Sequence, residues 1–366
     1  RRGQMKFCVF SSDPLYKYYE KGEIKERYWN PEGLFEEVCV FSFCDRDIKA
    51  DKVQALVGSA KLEIIPIGYP APHRLWGQYR QAARQMQAIG PDIVRVHNPW
   101  HAGLVGITAA RKYGIPTVLS LHTHYDARRR WEKRLLLQAL RLFELYSISR
   151  ADVVLCVSHY LEGYAREMGA RSIEVIYNRV YADQFHHSQQ AAERRPIILS
   201  VGRLDPPKDQ ACLIRALAGL DAELLLVGDG ENRAYLEGIV EELALVDRVH
   251  FVGSVAHAKI QDYYADADIF ALATHYEGFG MPVLEAMAAS LPVVVCTTEP
   301  LPEILGGQGL VVEHDPDAFH HAFAELLADR ARGRALGRGA RGRAEALDGR
   351  LMEAREAELY LSLIKK

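Results

Sequence analysis

The sequence predicts an α/β protein with two doubly wound parallel-sheet domains. Short apolar runs rich in Val and Ile alternate with longer amphipathic patterns, which is typical of βαβ units. The alternation occurs twice, and a polar segment without apolar periodicity separates the halves at 188–195. The length of 366 residues also exceeds what one hydrophobic core usually organises. We therefore expect two sheets that bind ligands at the carboxyl ends of their strands and face an interdomain cleft.

The apolar runs predict seven strands in the first half and six in the second. The first seven are 6–11, 38–43, 62–67, 93–97, 117–122, 153–158 and 174–177. The other six are 197–201, 223–227, 249–252, 269–272, 293–296 and 310–312. Apolar residues at three- and four-residue steps predict helices at 74–89, 101–113 and 131–149, and two or three more over 315–366. The expected apolar anchors of the last helix are Leu359, Leu361, Leu363 and Ile364.

Composition argues against several classes of function. The chain has 45 basic and 48 acidic residues, so it lacks the basic excess that nucleic-acid binding normally needs. No apolar run approaches the roughly 18 residues of a membrane-spanning helix. The six cysteines form no Cys-x-x-Cys pair and mostly lie in apolar runs. This usage favours a reducing cytoplasm and disfavours a metal or redox centre.

Two glutamates flank a point where a strand leads into a helix. The segment Thr274-His-Tyr-Glu-Gly-Phe-Gly-Met-Pro-Val-Leu-Glu285 follows a predicted strand, and Pro282 suits a first helical turn, so a helix should start near Met281. Its free amides and positive dipole end suit a diphosphate. The carboxylates of Glu277 and Glu285 can accept hydrogen bonds from sugar and ribose hydroxyls. Taken singly, each glutamate is better explained as an ordinary turn or helix-start acid.

A second loop supplies cations. The segment Gly202-Arg-Leu-Asp-Pro-Pro-Lys208 follows the strand at 197–201 and places Arg203 and Lys208 at the carboxyl end of the sheet. The planar guanidinium and the mobile ammonium can together stabilise a leaving nucleoside diphosphate without a metal. Either cation alone would be an ordinary surface residue, and the combination of the two loops makes the interpretation specific.

These segments closely resemble family 4 of the retaining glycosyltransferases, which have the GT-B fold of two Rossmann-like domains. The resemblance rests on Glu277-x7-Glu285, on Ser200-Val-Gly-Arg-Leu204 with Lys208, and on Leu226-Val-Gly-Asp-Gly230, and it covers most of the second half. It implies an acceptor-side domain over 1–190, completed by a helix at 350–366, and a nucleotide-sugar-binding domain over 191–349.

The resemblance also implies a role for each motif residue. Arg203 and Lys208 bind the donor diphosphate, Glu285 the ribose and Glu277 the transferred sugar. His122, at the end of its strand, faces the donor sugar and joins Glu277, Arg203 and Lys208 as a predicted catalytic residue. His97 is predicted on the acceptor side. The full predicted donor-binding set is Gly202, Arg203, Lys208, Glu277, Phe279, Gly280, Met281, Pro282, Val283, Leu284 and Glu285.

Three regions depart from the family pattern or suggest a further partner. Where the family has a Gly-Gly turn after the first strand, this chain has a tyrosine-rich segment at 11–19 and a single Gly22, which predicts a longer loop that shapes the acceptor site. The segment 298–303 lacks the usual glycine pair. The basic stretches 128–134 and 330–343 suggest peripheral membrane contact. However, the leucines of 135–145 fit a helix covering the sheet, and four glycines are expected to weaken a helical face in the second stretch.

Together these observations predict a retaining glycosyltransferase that transfers a hexose without a metal or cofactor. The donor is a nucleoside-diphosphate sugar, with a UDP-sugar favoured, and the acceptor is a glycan, a lipid-linked molecule or a small molecule. Two rivals remain on the same fold: a sugar-nucleotide epimerase or phosphorylase, and a non-catalytic nucleotide-sugar-binding partner. A dehydrogenase is disfavoured because no Gly-x-Gly-x-x-Gly follows the first strand of either half.

Overall fold

The computed structural model describes residues 4–22, 24–132, 138, 140–188 and 194–365. The chain divides into two compact units. The first domain holds the residues up to Tyr177 together with those from Leu351 onward, and the second domain is Asn178–Arg350. Each is built around one parallel sheet, as the alternation of apolar and amphipathic segments predicts.

The first domain contains a seven-stranded sheet with the order β3-β2-β1-β4-β5-β6-β7. Its strands are β1 Lys6–Phe10, β2 Glu37–Ser42, β3 Lys61–Pro66, β4 Ile93–Val96, β5 Thr117–Leu121, β6 Val153–Cys156 and β7 Ile173–Val175. Its helices are α1 Leu15–Glu20, α2 Leu75–Ile89, α3 His101–Lys112, α4 Tyr125–Glu132, α5 Arg141–Arg150 and α6 His159–Glu167. The strand order reverses between β1 and β4, and such a switch point opens a crevice at the carboxyl ends of the strands.

The second domain contains a six-stranded sheet with the order β10-β9-β8-β11-β12-β13. Its strands are β8 Ile197–Val201, β9 Glu223–Val227, β10 Val249–Gly253, β11 Ile269–Leu272, β12 Val293–Cys296 and β13 Leu310–Val312. Its helices are α7 Gln210–Ala216, α8 Arg233–Glu242, α9 His257–Asp266, α10 Met281–Ala288, α11 Leu301–Leu305, α12 Pro316–Ala328 and α13 Arg330–Ala346. The switch point between β8 and β11 therefore brings the two motif loops to the same edge of this sheet.

The last helix, α14 (Gly349–Ile364), supplies apolar residues to the core of the first domain. Met352, Tyr360 and Leu363 are buried in that core, and Leu359 and Ile364 pack against it as partly buried residues. The core also contains residues of β1, β2 and β4, such as Phe7, Val38 and Ile93. Of the predicted anchors, only Leu361 is absent from this cluster.

The structural division falls between Tyr177 and Asn178, whereas the sequence placed it after residue 190. Hydrogen bonds explain why the segment after Tyr177 belongs to the second domain. The amide of Ala182 donates to Asp348 at 3.0 Å, and the guanidinium of Arg341 donates to the carbonyls of Ala182 and Phe185. Of the predicted linker at 188–195, residues 189–193 lie outside the described part of the chain.

Two predicted helical regions differ in the structure. The single helix expected at 131–149 is instead α4 and α5, with 133–137 and 139 outside the described residues. The glycines of 330–343 do not prevent a 17-residue helix, α13. A Cβ on Gly337 would lie 2.0 Å from the carbonyl oxygen of Ser290, so this glycine allows the helix to approach the chain just after α10. The helix therefore forms in spite of its glycines, and the packing of Gly337 against Ser290 leaves no room for a side chain there.

The first basic stretch is partly internal. Arg129 is buried and donates to Glu144, whose carboxylate also accepts hydrogen bonds from Trp100 and Tyr164 at 2.7 and 2.6 Å. The guanidinium of Arg128 lies over the Trp100 ring, 5.6 Å from its centroid. These two arginines of the stretch are thus held by contacts within the first domain.

Candidate active site

The two motif loops of the second domain are joined by backbone hydrogen bonds. Lys208 and Thr274 form an isolated antiparallel bridge. On either side of it, the amide of Asp209 donates to Ala273 at 3.1 Å, and the amide of His275 donates to Pro207 at 2.8 Å. The hydroxyl of Thr274 also donates to the Pro207 carbonyl, at 2.9 Å. The loop after β8 and the loop after β11 therefore form one framework.

On this framework, Lys208 and Glu277 form an ion pair. Their side chains are 22% and 14% exposed, so both charges are shielded from most of the solvent. The second carboxylate oxygen of Glu277 accepts a hydrogen bond from the amide of Gly278 at 2.9 Å. The structure thus brings a predicted phosphate-binding cation next to a predicted sugar-binding carboxylate.

Arg203 has a different environment. Its guanidinium pairs with Asp205 of its own loop, and its side chain is 77% exposed. The side-chain amide of Gln210 donates to the Arg203 carbonyl at 3.0 Å, which ties this loop to the start of α7. Arg203 therefore lies in the predicted loop, where its charge is paired with an acid two residues away.

Glycines of the segment after β9 make room for the Gly202 loop. The amide of Gly202 donates to Val227 at 2.9 Å. A Cβ on Gly228 would lie 2.1 Å from the carbonyl oxygen of Gly202, and one on Gly230 would lie 2.5 Å from that of Leu204. The segment 226–230 therefore packs directly against the loop that carries Arg203 and Lys208.

Helix α10 begins at Met281, as Pro282 in the following position predicts. Gly280 caps it in a left-handed conformation with φ of 93°, and a Cβ there would lie 2.7 Å from a methyl of Leu301. The side chains of Phe279, Val283 and Leu284 are buried in the core of the second domain. These three residues could therefore contact a donor only through their backbone atoms near the amino end of α10.

Glu285, on α10, is buried and accepts a hydrogen bond from the hydroxyl of Tyr264 at 2.8 Å. Burial and the adjacent carboxylate raise the pKa of Tyr264 well above its ordinary value, so the hydroxyl stays protonated and continues to donate. Sequence reasoning missed Tyr264, which lies on α9 and is 21 residues away in the chain. Nothing in the sequence around Tyr264 indicates that its hydroxyl orients the carboxylate of Glu285.

In the first domain, His97 and His122 follow the neighbouring strands β4 and β5, and their rings stack with 5.9 Å between centroids. The Nε2 atom of each ring is buried and has no hydrogen-bond partner among the described residues. Burial, and then the charge of Arg95, lower the pKa of His122 to about 4 and that of His97 well below its ordinary value. Both imidazoles are therefore neutral at pH 7 and each offers a polar nitrogen.

A buried charge network lies two residues before these histidines on the same strands. Arg95 on β4 donates to Ser120 on β5 at 2.9 Å, pairs with Glu356 and donates to Tyr360 at 3.0 Å. Tyr360 in turn donates to Glu356 at 2.7 Å. The sequence prediction missed this network, although an arginine inside the apolar run at 93–97 was a visible signal.

Acidification should destabilise the first domain through His122. Its pKa is about 4 in the fold and about 6.5 in an unfolded chain. Between these values the unfolded state binds more protons, so the free energy of unfolding falls as pH falls, by up to about 1.4 kcal/mol per pH unit. Urea denaturation across this window should show a steeper pH dependence for the wild type than for His122→Asn. An equal pH dependence of the free energy of unfolding in the two proteins would contradict the lowered pKa of His122.

The segments that depart from the family pattern also have defined structures. Part of the predicted tyrosine-rich loop is helix α1 instead, because Asp47 accepts hydrogen bonds from the amides of Leu15 and Tyr16 at 2.8 and 2.9 Å and thereby caps the helix. In the segment 298–303, the hydroxyl of Thr298 donates a hydrogen bond to the carbonyl of Thr274 at 2.7 Å. Thr298 therefore holds the loop that carries Glu277.

A cavity of about 660 Å³ lies at the opposite edge of the second sheet. Its wall includes Pro196, Asp268 and Pro292, which directly precede β8, β11 and β12. Four arginines of α13 also line it: Arg330, Arg334, Arg338 and Arg341. This basic cavity is separate from the motif loops, which follow the carboxyl ends of the strands. Among the described residues, no helix has the length and apolar character to cross a membrane.

Two sequence families match consecutive parts of the chain. The family described as Glycosyltransferase Family 4 matches residues 36–184, and the family described as Glycosyl transferases group 1 matches residues 182–343. The Anabaena protein HepE, solved with UDP and glucose, has a TM-score of 0.79 and 21% identity, and the likeness covers 98% of this chain and all of that one. The fold is that of the GT-B glycosyltransferases. The two family matches together span residues 36–343, and the protein is a glycosyltransferase.

Two curated relatives show how far the sequence similarity extends. An uncharacterized glycosyltransferase of Methanocaldococcus jannaschii is 26% identical over 264 residues, which are 71% of this chain and 72% of that protein. A GDP-mannose-dependent α-(1-6)-phosphatidylinositol monomannoside mannosyltransferase of Mycolicibacterium smegmatis is 34% identical over 238 residues. That match covers 57% of this chain and 62% of the mycobacterial enzyme, slightly less than two thirds of its length.

Proposed function

We propose that the protein is a retaining glycosyltransferase that moves a sugar from a nucleoside-diphosphate sugar to an acceptor hydroxyl. The observation that carries this proposal is the ion pair of Lys208 and Glu277 on two hydrogen-bonded loops at the switch point of the second sheet. A cation for the diphosphate and a carboxylate for the sugar hydroxyls lie side by side there.

The proposed reaction uses charge stabilisation of the leaving group. The ammonium of Lys208 and the amides at the start of α10 hold the departing diphosphate, and Arg203 adds its charge after exchanging Asp205 for a phosphate. Glu277 accepts hydrogen bonds from the transferred sugar. Retention follows if the acceptor attacks the face that the diphosphate leaves, with a phosphate oxygen taking the acceptor proton. No step in this scheme is assigned to a metal.

The remaining polar residues bind and orient the substrates in this proposal. Glu285, whose carboxylate is oriented by Tyr264, binds the ribose. The neutral imidazoles of His122 and His97 exchange hydrogen bonds with hydroxyls of the sugar and the acceptor, because the Nε2 atom of each has no partner among the described residues. A neutral imidazole can either accept or donate at Nε2, depending on its tautomer.

Two donors are of particular interest. The sequence favours a UDP-sugar, and the Anabaena protein was solved with UDP and glucose. The name of the mycobacterial relative specifies GDP-mannose.

For the acceptor, that relative's name specifies a phosphatidylinositol lipid, which favours a lipid-linked acceptor here. The exposed arginines of α13 support peripheral contact with anionic lipid. The six free, buried cysteines support a reducing cytoplasm as the location.

Thermal-shift measurements with UDP-, GDP-, ADP- and dTDP-sugars test the donor. A ligand that binds only the native state raises its melting temperature, so one nucleotide class should give a larger shift than the others. The selected donor is then incubated with phosphatidylinositol lipids or soluble sugars, and the anomeric configuration of the product is determined by NMR. We expect the donor configuration to be retained.

The same experiment separates the rival functions. A shift without transfer to any acceptor would favour a non-catalytic binding partner. An altered sugar still attached to the nucleotide would identify an epimerase, and phosphate-dependent release of a sugar phosphate would identify a phosphorylase. No shift with any sugar nucleotide would contradict the proposal itself.

A further inference from the structure

One carboxylate and two imidazoles converge beside the motif loops. An oxygen of Asp209, Oδ2, lies 3.0 Å from Nε2 of His314 and 3.6 Å from Nε2 of His275. One potential ligand atom from each of the three residues lies within 4.8 Å of the others. The proposed transfer reaction gives none of these residues a role.

Three separate segments hold these side chains in place. Asp209 caps α7, because its Oδ1 accepts the amide of Cys212 at 3.1 Å, and this leaves Oδ2 facing the histidines. The backbone amide of His275 donates a hydrogen bond to the carbonyl of Pro207 at 2.8 Å, and His314 comes two residues after the end of β13. The carboxyl ends of parallel strands lie at the same edge of a sheet, which explains how residues 209, 275 and 314 meet.

The spacing of the ligand atoms suits a metal ion. Zinc binds histidine nitrogen and carboxylate oxygen at about 2.0–2.1 Å in a tetrahedron, so neighbouring ligand atoms should be about 3.3 Å apart. The two distances from Oδ2, 3.0 and 3.6 Å, lie on either side of this value.

We propose that Asp209, His275 and His314 form a binding site for a divalent transition-metal ion, with Zn²⁺ as the best fit to two imidazoles and one carboxylate. Three protein ligands leave a fourth position for water. The ion would cross-link the loops after β8, β11 and β13. Because Lys208 adjoins Asp209 and Glu277 lies two residues after His275, the metal would stiffen the loops that carry this ion pair without taking part in the transfer.

Isothermal titration calorimetry with ZnCl₂ tests the site on untagged, chelator-treated full-length protein. We expect one zinc ion per chain, with the affinity reduced at least tenfold in both His275→Ala and His314→Ala. The matched control is His250→Ala, because His250 pairs with Glu223 at 3.1 Å in the same domain but has no third ligand within reach among the described residues. Its zinc affinity should equal that of the wild type.

Wild-type affinity in both site variants, or no specific zinc binding by the wild type, would overturn the proposal. His275 is 34% exposed, so its alanine variant should keep the metal-free melting temperature, and that measurement separates lost binding from misfolding. Asp209 is left unchanged because it also caps α7. The readout is zinc binding alone, so its outcome does not depend on whether the transfer reaction is correctly assigned.

Discussion

Replacing Lys208 with alanine should reduce sugar transfer by about 10²- to 10³-fold, which is the usual effect of removing one group that stabilises charge in a transition state. Lys208 pairs with Glu277 on the hydrogen-bonded loops, where it can follow the negative charge that develops on the leaving diphosphate. Initial transfer rates with the identified donor measure the effect. Because the substitution leaves the mostly shielded carboxylate of Glu277 without this cation, the melting temperature is measured in parallel, and rates are compared at a temperature at which the variant is folded.

The control for this prediction is another ion pair of the second domain. Arg195 and Asp221 pair at 2.9 Å, with side chains 49% and 86% exposed, and the proposed reaction does not use them. Arg195→Ala should therefore transfer sugar at the wild-type rate, whereas Glu277→Gln should be impaired like Lys208→Ala. If Lys208→Ala and Glu277→Gln both kept the wild-type rate, these loops would not be the active site.

Replacing Arg95 with leucine should lower the free energy of unfolding of the first domain by about 3–5 kcal/mol, the usual cost of leaving one charge of a buried pair without its partner. Arg95 is 3% exposed, and its partner Glu356 lies on α14. The substitution removes the charge of Arg95 from the buried carboxylate of Glu356, which keeps the hydrogen bond from Tyr360. Urea denaturation, followed by a probe in the first domain, measures the change.

The double variant Arg95→Leu with Glu356→Leu serves as the control. It removes both charges, so it should be more stable than Arg95→Leu alone, because exchanging a whole buried pair for apolar residues is often neutral. A double variant as unstable as the sum of the two single variants would show that the charges do not interact. Such additivity would contradict the network described here.

Local signals explain how much of the fold could be predicted. All 13 predicted strands correspond to strands of the structure, because each is a short, mainly apolar run with turn residues nearby. The start of α10 was predictable from Gly280 and Pro282, whose backbone preferences act within a few residues. The nearness of the two motif loops was predictable, because both follow parallel strands whose carboxyl ends lie at one edge of the sheet, but the ion pair of Lys208 with Glu277 was not predicted.

Interactions between distant segments explain what was missed. Arg95 and Glu356 are 261 residues apart, so no local pattern links them. The tyrosine-rich segment contains a helix because Asp47 caps it from another loop. The structural division before Asn178, in place of a boundary after residue 190, reflects hydrogen bonds from Arg341 to the carbonyls of Ala182 and Phe185, which no local sequence pattern shows. Likewise, Gly337 was expected to weaken a helix, although it permits close packing.

The central claim is that the loops carrying Lys208 and Glu277 bind a sugar nucleotide through its diphosphate. Isothermal titration calorimetry of the full-length protein with the donor selected by thermal shift tests this claim most directly. We expect one donor molecule to bind per chain in the wild type and in Arg195→Ala, and binding to be at least tenfold weaker in Lys208→Ala. Equal affinity in all three proteins, or no binding heat with any sugar nucleotide, would contradict the account.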